Sequence, residues 1–247
     1  DFARHVMAQF VEGDVKPITD SMMFKLYDRT RSYLQPEQVD RSLGDIFIGV
    51  DWGGGGKTIV WVTQFVADKM IILNVERVET SDLDRQVNIV QSHIDAYNPK
   101  QVVVDAGGGT YQVQTLESRY ANLIRKNSYN IRPERPMPTK KEEKKLRKEN
   151  RYTIDRTFSL DRVINRLANG NMVIPAATDK DRQISDWIVE DFTNVEVELV
   201  KLKSTGQTYR RFFNPIGRPS DALHSCNYNE IAHDISRNTD TWFVSAR

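Results

Sequence analysis

The segment Ile46-Phe47-Ile48-Gly49-Val50-Asp51-Trp52-Gly53-Gly54-Gly55-Gly56 restricts the fold more than any other part of the chain. Four of its first five residues are apolar, a carboxylate ends the run, and four glycines follow within five positions. Such an apolar run reads as a strand buried on both faces, which calls for a parallel or mixed sheet. An ionised carboxylate at the end of a buried strand is costly unless its charge is compensated, and a metal ion is one such partner. Glycines beside it let backbone, phosphate or metal come close. The arrangement recurs at Gln101-Val102-Val103-Val104-Asp105-Ala106-Gly107-Gly108-Gly109. Two buried strands, each delivering an aspartate into a glycine-rich loop, imply that Asp51 and Asp105 meet at one site.

The 247 residues suffice for one large or two small domains. Lys and Arg total 35 against 34 for Asp and Glu, a formal charge of +1. The overall balance therefore does not point to nucleic acid; only local clustering can. A single cysteine, Cys226, excludes an intramolecular disulfide and fits a reducing compartment. No apolar run approaches the roughly 20 residues of a membrane span. The chain begins at Asp1 rather than Met, and reads as a piece of a longer protein.

Residues 1–44 read as a connecting region. Phe2, Val6 and Phe10 fit one face of a short helix, and Pro17-Ile18-Thr19-Asp20 fits the entry to a second. After the strand ending at Asp51, Thr58 to Val66 and Met70 to Val78 are predicted strands of an antiparallel meander, turning at Ala67-Asp68-Lys69. Ser81 is a candidate N-cap for a helix whose face is Leu83, Val87, Val90 and Ile94, ended by Asn98-Pro99. That helix is a crossover, so the strand Val102–Asp105 is expected to run parallel to one already in the sheet. Val113, Leu116, Tyr120, Leu123 and Ile124 suggest a further helix, and Tyr129 to Arg132 a short strand. The run Lys140 to Arg151 carries seven positive and three negative charges and reads as a solvated helix or loop. Leu160, Val163, Ile164 and Leu167 form a helical face closed by Asn169-Gly170. Met172-Val173-Ile174 fits an edge strand, and Ile184, Trp187, Ile188 and Asp191-Phe192 another helix. Val195 to Phe213 alternates as a hairpin around Ser204-Thr205-Gly206-Gln207. A last helix starts at Arg218-Pro219-Ser220-Asp221, with Asp221, His224 and Tyr228 on one face.

This order, meander, helix, parallel strand, further helices and a last helix opened by an acid, is similar to the ribonuclease H-like nuclease fold. The expected architecture is α/β: a mixed central sheet of antiparallel meander plus parallel strands, flanked by helices, with an added β-hairpin. In that layout Asp51 and Asp105 stand on neighbouring strands and Asp221 closes a third side. A cluster of hard oxygen ligands suits magnesium or manganese rather than zinc. Two such ions activate water on one side of a phosphodiester and stabilise the leaving oxygen on the other. His224 is open to three roles: ligand, proton acceptor or neither.

Ile48-Gly49-Val50-Asp51-Trp52-Gly53, Val103-Val104-Asp105, the charged hairpin and Pro219-Ser220-Asp221-Ala222-Leu223-His224 together resemble the C-terminal nuclease domain of the large terminase subunit of tailed bacteriophages. The resemblance covers roughly residues 1 to 235. It implies a metal-dependent endonuclease that cuts concatemeric viral DNA during packaging, with little sequence preference. It implies Asp51, Asp105, Asp221 and His224 as catalytic candidates, the three aspartates as ligands of two Mg2+ or Mn2+ ions. It divides the chain into a tail, 1–44, of an N-terminal ATPase motor not contained in the chain, a nuclease domain, 45–235, and a C-terminal tail, 236–247. The implied partners are double-stranded DNA, the motor domain, a portal and a small terminase subunit, and the implied location is the host bacterial cytoplasm at the procapsid. Many relatives carry a pair of adjacent acids at the third position and another acid three residues later. Here those places hold Ser220-Asp221 and His224.

Lys140, Lys141, Lys144, Lys145, Arg147, Lys201, Lys203, Arg210 and Arg211 are candidates for contact with the phosphate backbone. Each feature also has an ordinary reading: a strand-capping or helix-starting acid, tight-turn glycines, a solvated charged helix, core tryptophans. Trp52 alone among the tryptophans is placed to touch substrate. A rival reading comes from Val104-Asp105-Ala106-Gly107-Gly108-Gly109-Thr110, which also resembles the phosphate loop of actin-like and chaperone ATPases. Those folds use two such loops in two lobes, whereas Asp51 and Asp105 are close enough in sequence to share one. Gly53 to Thr58 is not a Walker-type loop, because Asp51 stands where its first glycine belongs. A Holliday-junction-resolvase-like nuclease and a noncatalytic DNA- or portal-binding relative are the remaining alternatives.

Overall fold

The apolar runs do form the centre of a sheet. The structure, a computed structural model, describes residues 16–53, 57–130, 139–201, 206 and 208–237. In chain order the strands are β1 (Tyr27–Asp28), β2 (Ile46–Gly53), β3 (Lys57–Val66), β4 (Lys69–Glu79), β5 (Gln101–Asp105), β6 (Ile124–Asn130), β7 (Arg151–Asp155), β8 (Met172–Pro175), β9 (Glu196–Lys201) and β10 (Thr208–Phe213). The helices are α1 (Asp20–Phe24), α2 (Leu83–Tyr97), α3 (Thr110–Tyr120), α4 (Lys140–Lys148), α5 (Arg156–Ala168), α6 (Asp179–Thr193) and α7 (Asp221–Ser236). The first eight strands form one sheet in the order β1-β8-β4-β3-β2-β5-β6-β7, and β9 and β10 form a separate antiparallel hairpin. β2, β3 and β4 are the antiparallel meander, while β5, β6 and β7 continue the sheet parallel to β2. This is the mixed α/β architecture expected from the sequence.

Alternation along the strands sends side chains to two cores. Ile48, Val50, Val102 and Val104 pack with Val87, Val90 and Ile94 of α2 and Val113 and Leu116 of α3. Phe47, Ile59, Trp61 and Val103 pack on the opposite face with α5, α6 and α7. Asp51 and Asp105 follow Phe47 and Val103 in the period of two, so both carboxylates face the α7 side. β2 and β5 pair in register from Phe47↔Gln101 to Val50↔Val104, which brings the two aspartates to the same level on strands about 4.8 Å apart.

α7 approaches this face closely because position 49 has no side chain. A Cβ on Gly49 would sit 2.0 Å from the Ser225 carbonyl oxygen and 2.8 Å from the Asn229 nitrogen. The Ser225 hydroxyl reaches the carbonyl oxygens of Gly49 and Ile59 at 2.8 and 3.0 Å. One turn on, the Asn229 amide donates to Trp61 O at 2.5 Å and accepts from the Thr63 hydroxyl at 2.6 Å. Buried polar residues thus fasten the helix to the sheet with their hydrogen bonds met.

Several expectations need correction. Asp82, not Ser81, caps α2, its carboxylate accepting from Arg85 N at 3.1 Å. α3 ends at Tyr120, and Ile124, expected within it, opens β6, because its backbone pairs alongside Val102 in the sheet and its side chain joins the core under β5. The end of the charged run is strand: α4 stops at Lys148, and Arg151 starts β7. Met172 to Pro175 is not an edge, since β1 pairs with it on the outside. Pro219 precedes the Ser220 N-cap and is not in the first turn of α7. Residues 1–15, with the helix expected around Phe2, Val6 and Phe10, lie outside the described residues. Residues 16–44 pack on the domain, giving Ile18, Met23 and Leu26 to its core. Among the described residues no helix is long and apolar enough to cross a membrane.

Replacing Gly49 with alanine forces a methyl group into backbone atoms of α7. We expect Gly49→Ala to cost at least the ~1–3 kcal/mol typical of an overpacked core. Chemical denaturation monitored by circular dichroism measures it; a midpoint equal to wild type would show that α7 does not seat against β2 as described.

Candidate active site

The site lies where the parallel strands end and α7 begins, the edge at which open α/β sheets place their ligands. Asp51 is 8% exposed. Burial, then the negative charges of Asp105, Asp221 and Asp191, raise its pKa well above the ordinary carboxylate range, with Arg156 opposing. Asp105 ends β5 and is held by the loop after it, its two oxygens accepting from Gly107 N at 3.0 Å and Gly108 N at 2.9 Å. The loop lies flat on Trp52: a Cβ on Gly109 would meet the indole at 2.4 Å. Trp52 is accordingly buried in the α2–α3 core, on the face of β2 opposite Asp51. Asp221 is the first residue of α7. Burial raises its pKa against the pull of Lys57.

Asp191, near the end of α6, belongs to this constellation and was not singled out from the sequence. It is buried, and its carboxylate accepts from the backbone N–H groups of Leu223, at 3.1 Å, Ala222 and Asp221. Ser220 makes no side-chain cap, so Asp191 caps α7 from another helix and so orients Asp221. Burial outweighs these N–H groups and pushes Asp191 up to about 7. No local pattern marks such a cap, because its partners are some thirty residues away in sequence.

His224 pairs with Arg156. The Arg156 guanidinium donates to its Nε2 at 3.1 Å, so the ring is neutral and protonated on Nδ1. Burial, with the Arg156 charge, pushes its pKa down to about 3. Its Nε2 is thus taken by Arg156, while its Nδ1 is buried without a hydrogen-bond partner among the described residues. Tyr129 packs against it at 5.4 Å and against Tyr228 at 5.5 Å. Arg156, first residue of α5, is the cation that Asp51 and His224 share, and no local pattern marks it.

Among the described residues no three His, Cys, Asp or Glu side chains are drawn close enough to hold a metal ion as they stand. Asp51, Asp105 and Asp221 are electrostatically coupled without forming one ligand sphere. The donor chemistry still fits a hard divalent cation: all three are oxygen donors, burial raises the pKa of Asp51 and Asp221, and at Asp51 the neighbouring carboxylates raise it further.

The basic candidates are spread out. Lys141, Lys144 and Lys145 are exposed on α4, and Arg147 pairs with Glu143 at 2.5 Å. Lys140 opens α4. Lys201 is exposed at the end of β9, Arg210 pairs with Asp161, and Arg211 pairs with Glu198 across the hairpin. Lys203 lies outside the described residues.

Sheet order, crossover and acid placement define a ribonuclease H-like α/β domain. More particularly, the fold is that of large-terminase nuclease domains. The large terminase nuclease of thermophilic phage G20c with bound magnesium matches over 88% of this chain and 96% of its own, at 16% identity and a TM-score of 0.52. A second structure of that nuclease gives 85%, 96%, 15% and 0.50. The large terminase nuclease domain of Thermus phage P74-26 matches over 88% of this chain and 94% of its own, at 15% identity and 0.51. No protein-family model matches the chain, and no curated protein matches it.

Asp191 binds a proton in the folded state that it has lost in the unfolded state between about pH 4 and 7. Its carboxyl therefore favours folding least above pH 7, by on the order of 4 kcal/mol relative to low pH. In EDTA we expect Asp191→Asn, which keeps an acceptor oxygen without the charge, to melt above wild type at pH 8 and to lose that advantage near pH 4. A gap that stays constant across this range would refute the assignment.

Proposed function

We propose that the chain is a divalent-metal-dependent nuclease that hydrolyses DNA phosphodiester bonds, the nuclease part of a large terminase that cuts concatemeric viral DNA during packaging with low sequence specificity. The observation that carries this reading is the convergence of Asp51, Asp105 and Asp221, from two adjacent strands and a helix start, on one edge of a terminase-nuclease fold. The bound magnesium in the G20c nuclease supports the same chemistry.

In this reading the three aspartates hold two Mg2+ or Mn2+ ions, with Asp51 between Asp105 and Asp221. The ions, when bound, activate the attacking water and stabilise the leaving oxygen. The rest falls to this chain's residues. Gly107 and Gly108 hold the Asp105 carboxylate in place, and Asp191 holds the helix start that carries Asp221. Arg156 and Lys57 bring positive charge beside Asp51 and Asp221, where a phosphate would enter. Exposed Lys141, Lys144, Lys145 and Lys201 meet the DNA backbone, which requires no base reading and agrees with low specificity. The motor domain, portal and small subunit belong to this proposal as partners, and the bacterial cytoplasm at the procapsid as its place. The ATP-binding alternative has less support, because Asp51 and Asp105 stand side by side in one sheet rather than in two lobes.

We expect supercoiled plasmid to be nicked in magnesium or manganese, not in EDTA, and Asp105→Asn to remove the activity while leaving the circular dichroism spectrum unchanged. Nicking by Asp105→Asn at the wild-type rate would sink the site. Asp51→Asn should likewise abolish nicking yet raise the melting temperature in EDTA, since it removes a buried charge facing three others. A lower melting temperature would mean that Asp51 serves the fold rather than the site.

A further inference from the structure

Asn127 stands in β6 directly beside Asp105 in the parallel register. Its side chain is fully buried, and neither its amide nitrogen nor its amide oxygen has a hydrogen-bond partner among the described residues. Buried amides in native proteins are paired, and one with both ends unpaired asks for an explanation. The alternation of β6 supplies its orientation. Ile124 packs in the α2–α3 core, whereas Tyr129 packs on the α7 side with His224 and Tyr228. Asn127 is in phase with Tyr129, so it shares a face with Asp105 and Asp51. The backbone is fixed at this point, since Ala106 N donates to Asn127 O at 2.8 Å and ties the end of β5 to β6.

We infer that Asn127 is a positioning residue of the carboxylate site: its amide is reserved for the hydration shell of a divalent cation seated at Asp105. This deepens the nuclease reading and rests on it. A fifth carboxylate here would add repulsion to a cluster that already raises the pKa of Asp51, whereas an amide offers one acceptor and two donor hydrogens without charge. A leucine of the same shape would satisfy the core better, so a fold with no ligand to serve gains nothing from asparagine at this position.

The test is isothermal titration of the chain with manganese, together with melting curves in EDTA, for wild type, N127L and N127D. N127L removes both unpaired polar atoms, so we expect a melting temperature in EDTA equal to or above that of wild type. Its manganese affinity should fall about ten- to a hundredfold, the usual loss when an outer hydrogen-bond partner of a metal site is removed. N127D restores an oxygen acceptor and should bind manganese at least as tightly as wild type. Unchanged manganese affinity in N127L would overturn the inference and leave Asn127 with an ordinary buried water. Should N127L not fold, the amide has a structural partner and the inference falls, unless N127D folds and tightens manganese binding. A wild type that binds no manganese would overturn the nuclease reading itself, which separates the two failures.

Discussion

The seat of α7 on β2 and β3 is the contact from which the rest of the site follows. Gly49 leaves room for the helix backbone, and Ser225 and Asn229 fasten it through the carbonyls of Gly49, Ile59 and Trp61. A helix held at two points one turn apart is fixed in both depth and rotation. Its first residue, Asp221, is thereby set at the level where β2 and β5 end. A larger residue at position 49 would push the helix away and carry Asp221 with it.

This seat places negative charge where the fold cannot neutralise it. Asp51, Asp105, Asp221 and Asp191 act on one another, and the nearby cations, Arg156 and Lys57, only partly offset them. For Asp51 and Asp191 burial dominates, stronger even than three backbone N–H groups in the case of Asp191. A chain selected for stability alone would replace such groups with neutral ones. Keeping them agrees with the proposed nuclease reading, in which a cation would offset the charge.

Much of the fold was legible because it is written in local periodicity. The apolar runs ending at Asp51 and Asp105, the meander, the α2 face and the Val195–Phe213 hairpin all stand where their patterns predict. β7 was missed because only Ile154 of its five residues is buried, so an exposed edge strand reads as the tail of a charged run. Ile124 was misplaced because an apolar residue four positions after Tyr120 fits a helix face as well as a strand start. Trp52 adjoins Asp51 in sequence, but its indole lies under Gly109 on the opposite face of the strand, a contact that adjacency does not encode.

By itself the sequence determined which carboxylates end buried strands, that the sheet is mixed, and that Asp221 opens a late helix, because strand and helix periods, glycines and caps act over a few residues. Only the tertiary structure decided that Asp191 caps α7 from α6, that Arg156 occupies His224 and faces Asp51, and that Asn127 lies beside Asp105. Each of these is a pairing between residues far apart in the chain. Such pairings depend on how strands register and how closely helices approach, and no local pattern encodes that.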